Sequence, residues 1–328
     1  AQQDIYMDML KELEEAVAQI GSSTTMGSSD LIFQGNTVKW KAWGNSMMLR
    51  LAMRLTKVDS ATAKAWAEKA VAAGTMTSND HIAMVQHTDG PGGINKNGHG
   101  EVFDADGNPR MSKTFVDWLK DDPRLPILAA RRSDKSTAIA DLIGMPNGST
   151  GATVPDTSIY AEPNRNVITG RDAPMVFQTY AEVRLLKAEM AFRGWSVPGD
   201  AKTHYEAGVK AAMQMLSQLY TNAAAISDAQ VADYLAAKPY DASKGWEMIS
   251  EQYWAATLLN EYESYNNWRR TGYPTLTPIN YDGNVTGGTI PRRLIYPSSE
   301  QATNGDNYAA AVARQGADDF TTRIWWDK

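Results

Sequence analysis

The chain reads as a mainly α-helical protein, a scaffold of helix pairs with long irregular loop insertions and a few short strands. Three observations predict this. Apolar residues recur at helical spacing in several segments, and small residues stand where the helices of a pair would cross. Stretches rich in Gly, Pro, Asn and Asp separate the pairs.

At residues 4–20, Tyr6, Leu10, Leu13, Val17 and Ile20 form one stripe, with Lys11, Glu12, Glu14, Glu15 and Gln19 elsewhere. A second helix over 45–57 turns Met48, Leu51, Ala52 and Leu55 inward. Asp59 or Ser60 caps a third, whose stripe is Ala63, Trp66, Ala67, Ala70 and Val71 and whose end is Gly74. A clearer pair follows: a helix over 176–193, a turn over 195–200, and a helix capped by Asp200. Leu185, Ala188, Phe192, Ala201, Tyr205 and Gly208 fall at the spacings of the 34-residue tetratricopeptide repeat, although Glu189 stands where that pattern wants a small residue. Further helices are predicted over 227–236 and 243–268, and short strands at 82–86 and 293–296. The stretches 88–110, 144–174 and 277–305 read as irregular loops, where ligand chemistry would sit on a helical scaffold.

A 36.0 kDa chain buries about three quarters of its unfolded surface, enough for a full core. No low-complexity linker divides it, so residues 1–328 are expected to form one domain. Its formal charge of −6, from 38 acids and 32 bases, argues against phosphate-tracking nucleic-acid binding. Cysteine is absent, which excludes disulfides, thiolate zinc sites and cysteine nucleophiles. No stretch approaches the ~20 apolar residues of a membrane helix.

Catalytic motifs find little support. There is no Gly-x-Ser-x-Gly elbow, and His81, His87, His99 and His204 form no recognised arrangement. The glycine-rich stretch 144–151 lacks the lysine of a phosphate loop and reads as a turn. Asp104, Asp106 and Asn108 alternate as at the start of a calcium loop, but the glycine comes too early and no bidentate Glu follows. An Asp-Gly turn between two short strands is the simpler reading, and no cofactor is expected. Paired acids of a glycosidase would be Glu261 with Glu263, Asp121 with Asp122, or Asp318 with Asp319. Residues two apart on a helix diverge, and Asp121-Asp122 reads as capping and solvation.

Ten Trp and fourteen Tyr against six Phe favour half-exposed rings, whose faces suit the apolar C–H face of a pyranose. Trp40, Trp43, Trp66, Trp118, Trp195, Trp254 and Trp268 lie at spacings that suit core packing. Candidate ligand contacts lie on loops instead: Tyr240 and Trp246, then Tyr281 with Asp282 and Asn284, then Gln86 and His87 with Asn95 and His99 in the 86–99 loop.

The most distinctive segment is residues 261–276, Glu-Tyr-Glu-Ser-Tyr-Asn-Asn-Trp-Arg-Arg-Thr-Gly-Tyr-Pro-Thr-Leu. A helix with Tyr262, Tyr265 and Trp268 runs into Arg269 and Arg270, cations suited to a helix C-terminus, and Gly272 and Pro274 stop it. This resembles the Trp-Arg-Arg-Thr-Gly-Tyr-Pro signature of the SusD/RagB family. Residues 39–54, 112–125, 179–195, 291–300 and Asn307-Tyr308 are similar to other pieces of that family's pattern, in the same order.

The resemblance implies a tetratricopeptide-like scaffold with loop insertions and a non-enzymatic role at the outer face of the outer membrane. It implies capture of oligosaccharide, or less often peptide, with a SusC-like TonB-dependent transporter as partner and the binding protein as a lid over its mouth. Family members begin with a signal, a lipid-modified cysteine and a further helical region. The expectation is therefore that this chain is the C-terminal part of a longer, lipid-anchored precursor. The family's glycan contacts follow no fixed motif. Two other classes fit a helical, Trp-rich, acidic chain: a glycoside hydrolase of helical-toroid type, and a tetratricopeptide adaptor binding a peptide in its concave groove.

Overall fold

A computed structural model describes residues 1–23, 25–90, 95–150 and 153–328. Part of the 86–99 loop, and Gly151 at the end of the glycine-rich turn, lie outside the described residues.

Helices α1 (Gln2–Gln19), α2 (Thr37–Arg54) and α3 (Ser60–Ala73) pack in sequence. Helix α2 starts eight residues before its expected boundary of 45, because Asn36 caps it by accepting the Lys39 amide at 3.1 Å. Mid-helix Gly44 lies against Val17 of α1, where a larger side chain would collide. Asp59 caps α3 through the Thr62 amide and Gly74 ends it, as the sequence predicts.

Strand β1 (Ala83–Val85) and helices α4 (Gly98–Ala105), α5 (Lys113–Trp118) and α6 (Leu125–Leu128) follow, then β2 (Ala129–Arg131), β3 (Ala161–Pro163) and β4 (Met175–Gln178). Strands β1 and β4 pair antiparallel with a bulge beside Ala83, and β2 pairs antiparallel with β3 through Ala130 and Glu162. The predicted helix start at 176 is therefore wrong. Residues 176–178 belong to β4, and Thr179 opens α7 (Tyr180–Phe192) with a capping box to Glu182. The Asp-Gly turn at 106–107 does not join two strands; it follows α4, and Asp104 pairs with Arg171.

Helix α8 (Ala201–Gln214) returns along α7, capped by Asp200. A Cβ on Gly208 would stand 2.8 Å from Leu185 of α7, so the close crossing expected of the pair is realised there. Helices α9 (Leu216–Leu219) and α10 (Asp228–Ala237) lead to α11 (Gly245–Ala256) and α12 (Glu261–Thr271). The single helix expected over 243–268 is thus two. At the break, Thr257 bonds its hydroxyl back to the Tyr253 carbonyl and to the Ser264 hydroxyl, while Leu259 takes φ 64°. Local hydroxyl bonds of this kind compete with the helix ladder.

Two late helices, α13 (Ser298–Thr303) and α14 (Gly305–Gln315), were not anticipated; neither has a buried residue, so no apolar stripe announces them. The expected strand at 293–296 is absent among the described residues. Its backbone is engaged elsewhere, with Arg292 donating to the Phe320 carbonyl and Tyr296 to the Asp318 carboxylate. One core runs through α2, α3, α7, α8 and α11, built on Leu49, Ala52, Ala67, Leu185, Val209 and Tyr253.

Candidate functional site

The residues of the most distinctive sequence segment divide between the two faces of α12. Glu263, Asn267 and Arg270 are buried and spaced four and three apart, one helical stripe. Arg270 forms a two-pronged ion pair with Glu189 of α7 at 2.5 and 2.6 Å, and Arg193 reaches the same carboxylate at 2.8 Å. Glu263 meets Arg54 of α2 at 2.8 Å and accepts from the Tyr253 hydroxyl at 2.8 Å. Glu182, which pairs with Arg50, lies 3.1 Å from that hydroxyl. Burial is the largest influence on all three carboxylates and raises each. For Glu182 it prevails, whereas Arg54, Arg50 and the Tyr253 hydroxyl together outweigh it at Glu263, and Arg270 with Arg193 at Glu189, holding both below the usual range. Charge lies here in the interior, matched by charge.

The other face of α12 carries Glu261, Ser264, Tyr265 and Trp268, at relative positions 0, 3, 4 and 7, and it lines an open groove of about 400 Å³. Trp254 of α11, Phe115 of α5, the 257–259 break, Pro274, Leu276 and Ile290 line the groove as well. The Tyr265 and Trp268 rings lie within 11° of parallel, 6.3 Å apart, and Phe115 meets Trp254 edge-on at 4.7 Å. Arg292 stacks on Trp268 at 4.5 Å, and the Tyr265 hydroxyl donates to the Pro291 carbonyl, so both rings are held. Polar residues lining the groove include Arg110, Ser112, Thr257, Glu261 and Ser264. Arg110 is fixed by the Gly107, Pro109 and Thr157 carbonyls, and Glu261 lies 3.7 Å from His99. Half-buried rings with a polar rim can hold the flat apolar face of a sugar while its hydroxyls bond outward.

The candidate contacts read from the sequence occupy three other places. Tyr240 packs on Tyr205 at 5.1 Å with its hydroxyl buried, and Trp246 donates its indole N–H to the Thr271 carbonyl beneath Arg193, 4.5 Å from the ring. Gln86 donates to the Asp172 carbonyl in a polar cleft with Arg165 and Asn222, and His87 bonds the Asn95 carbonyl through Nδ1. Tyr281 and Asp282 are exposed, while Asn284 lines a second open cavity of about 480 Å³ beside the groove. The sequence reading assigns Trp254 and Trp268 to packing and gives Tyr265 no role beyond its place on the helix. They do pack, and their spacing at helical period gives no sign that each also keeps an edge on the groove.

Acids do not converge in the groove: Glu261 is the only carboxylate lining it among the described residues. Asp122, expected to be solvated, is buried and clamps Arg124 at 2.7 and 3.0 Å. No cluster of three metal-ligating side chains occurs among the described residues. Nor is any helix among them long and apolar enough to cross a membrane.

A family model, SusD-like_2, "Starch-binding associating with outer membrane", matches residues 1–297. No curated protein matches the chain. Among solved structures, one described as a chitin-binding protein is 35% identical with a TM-score of 0.90, over all of this chain and 73% of the other. A chitin-binding SusD homologue from Flavobacterium johnsoniae is 26% identical with a TM-score of 0.80, again over 100% and 73%. A SusD-like protein from Bacteroides thetaiotaomicron is 27% identical with a TM-score of 0.80, over 99% of this chain and 72% of that one.

Proposed function

The chain belongs to the SusD-like family, and on that premise we propose that it captures oligosaccharide in the aromatic groove at the outer face of the outer membrane. It passes the ligand to a SusC-like TonB-dependent transporter, is held to the membrane by a lipid anchor, and leaves the ligand's bonds intact. The observation that carries this reading is the pair of held rings, Tyr265 and Trp268, lining one open groove together with Trp254. A chitin-type oligosaccharide is the first ligand class, following the two chitin-binding structures, and a starch-type oligosaccharide the second, following the family description.

Absence of catalysis is supported by where the acids lie. Glu182 and Glu263 approach one another through Tyr253, but both are buried and matched by Arg50 and Arg54. A glycosidase needs two carboxyl groups on either side of an accessible sugar bond, about 5–9 Å apart. Calorimetric titration with a panel of chito- and malto-oligosaccharides, followed by chromatography of the mixtures, tests the proposal. Saturable binding with unchanged oligosaccharides is expected. Release of shorter products, or no heat with any member of the panel, would contradict it.

A further inference from the structure

Resting on that reading, we infer that the groove and the second cavity are two halves of one binding channel for a linear oligomer. Leu276 and Ile290 line both, so one strip of chain forms the shared wall. Helix α5 also contributes to both, with Phe115 in the first half and Thr114 in the second. The two volumes, about 400 and about 480 Å³, are each within the range of a small-ligand site. Placed end to end, they suit a ligand of several repeating units.

The halves differ in chemistry. Rings dominate the first. The second presents Thr114, Asn147, Thr277 and Thr289, whose side chains form no hydrogen bond with a described residue. Each is exposed, and together they offer hydroxyl and amide donors and acceptors. Asn284 and Thr286 of the same cavity are already engaged, since the Asn284 side-chain oxygen Oδ1 accepts from the Thr286 amide and hydroxyl at 2.8 and 2.7 Å. They shape the loop rather than greet the ligand. A linear sugar would thus stack at one end and hydrogen-bond along its edge at the other.

The test is chain-length dependence. Chitobiose, chitotetraose and chitohexaose are titrated into the full chain and into the Asn147→Ala/Thr289→Val double variant, whose exposed positions leave the core untouched. Circular dichroism melts verify the variant's fold. The wild-type chain is expected to bind the hexaose at least tenfold more tightly than the biose. In the variant most of that gain disappears, while affinity for the biose stays within twofold. Equal affinity at all lengths, or a length gain that survives in the variant, overturns the two-part channel while leaving glycan capture intact. Failure of every oligomer to bind overturns glycan capture itself, and the channel with it.

Discussion

The two faces of α12 use their side chains in opposite ways. On the inner face, Glu263, Asn267 and Arg270 join Arg54 of α2, Glu189 of α7 and the Tyr253 hydroxyl of α11 in a buried polar hub. On the outer face, Tyr265 and Trp268 are held by cation stacking and a backbone carbonyl, with edges on an open groove. Eleven residues of one helix therefore supply both the tie between helices and one lining of the open groove. The segment most recognisable in the sequence thus concerns architecture first. Its Arg-Arg pair points inward and across to Arg292 and Trp326, not at a ligand.

If that division is right, each face can be broken alone. The largest effect is expected from Arg270→Ala, which strands Glu189 in the core with Arg193 as its remaining partner. Removing one member of a buried pair costs about 3–5 kcal/mol. Urea denaturation should give that loss, and oligosaccharide affinity of the folded fraction should be unchanged.

A second effect appears with pH, at His204 on α8. Its Nε2–H donates to the Pro198 carbonyl at 2.8 Å, its Nδ1 is buried without a partner, and burial, aided by Arg184, lowers its pKa to about 4. The unfolded chain, with an ordinary histidine, takes up the proton near pH 6.5, before the folded chain does. Stability tied to this group is therefore complete above pH 6.5 and lost as pH falls toward 4, by up to roughly 3 kcal/mol. His204→Gln, whose amide can donate to the same carbonyl, should flatten the melting temperature across that window. An unaltered slope would assign the acid sensitivity to other groups.

Trp246→Ala sharpens the comparison further. The sequence expectation is a loss of sugar affinity with little change in melting temperature. With the indole N–H on the Thr271 carbonyl and the ring against Phe192 and Arg193, the structure predicts a stability loss of roughly 2–3 kcal/mol and full affinity at the groove. Calorimetric melting and glycan titration on the same variant decide between the two.

How much of this was legible follows from the physics of each element. Helices with an apolar stripe or a capping residue, such as α3, α8 and α10, could be read because burial and caps leave a periodic trace. Helices α13 and α14 bury nothing, and the Gly-His-Gly start of α4 reads as a loop, so neither left one. The break between α11 and α12 depends on Thr257 and Ser264 bonding across it, a contact that periodicity cannot register. For the site, the sequence reading puts aromatic ligand contacts on loops, whereas the rings that line the groove stand on helices. That Trp254, Tyr265 and Trp268 line one groove together with Pro274, Leu276 and Ile290 follows from the path of the chain, which periodicity does not register.

The most direct test of the central claim is isothermal titration of chitohexaose into the wild-type chain and Trp268→Ala, alongside their urea unfolding. Loss of a held stacking ring should weaken binding at least tenfold, about 1.4 kcal/mol or more, while costing the fold less than Arg270→Ala does. Unchanged affinity, or a fall in stability as large as that of Arg270→Ala, would contradict the assignment of this face of α12 to the ligand.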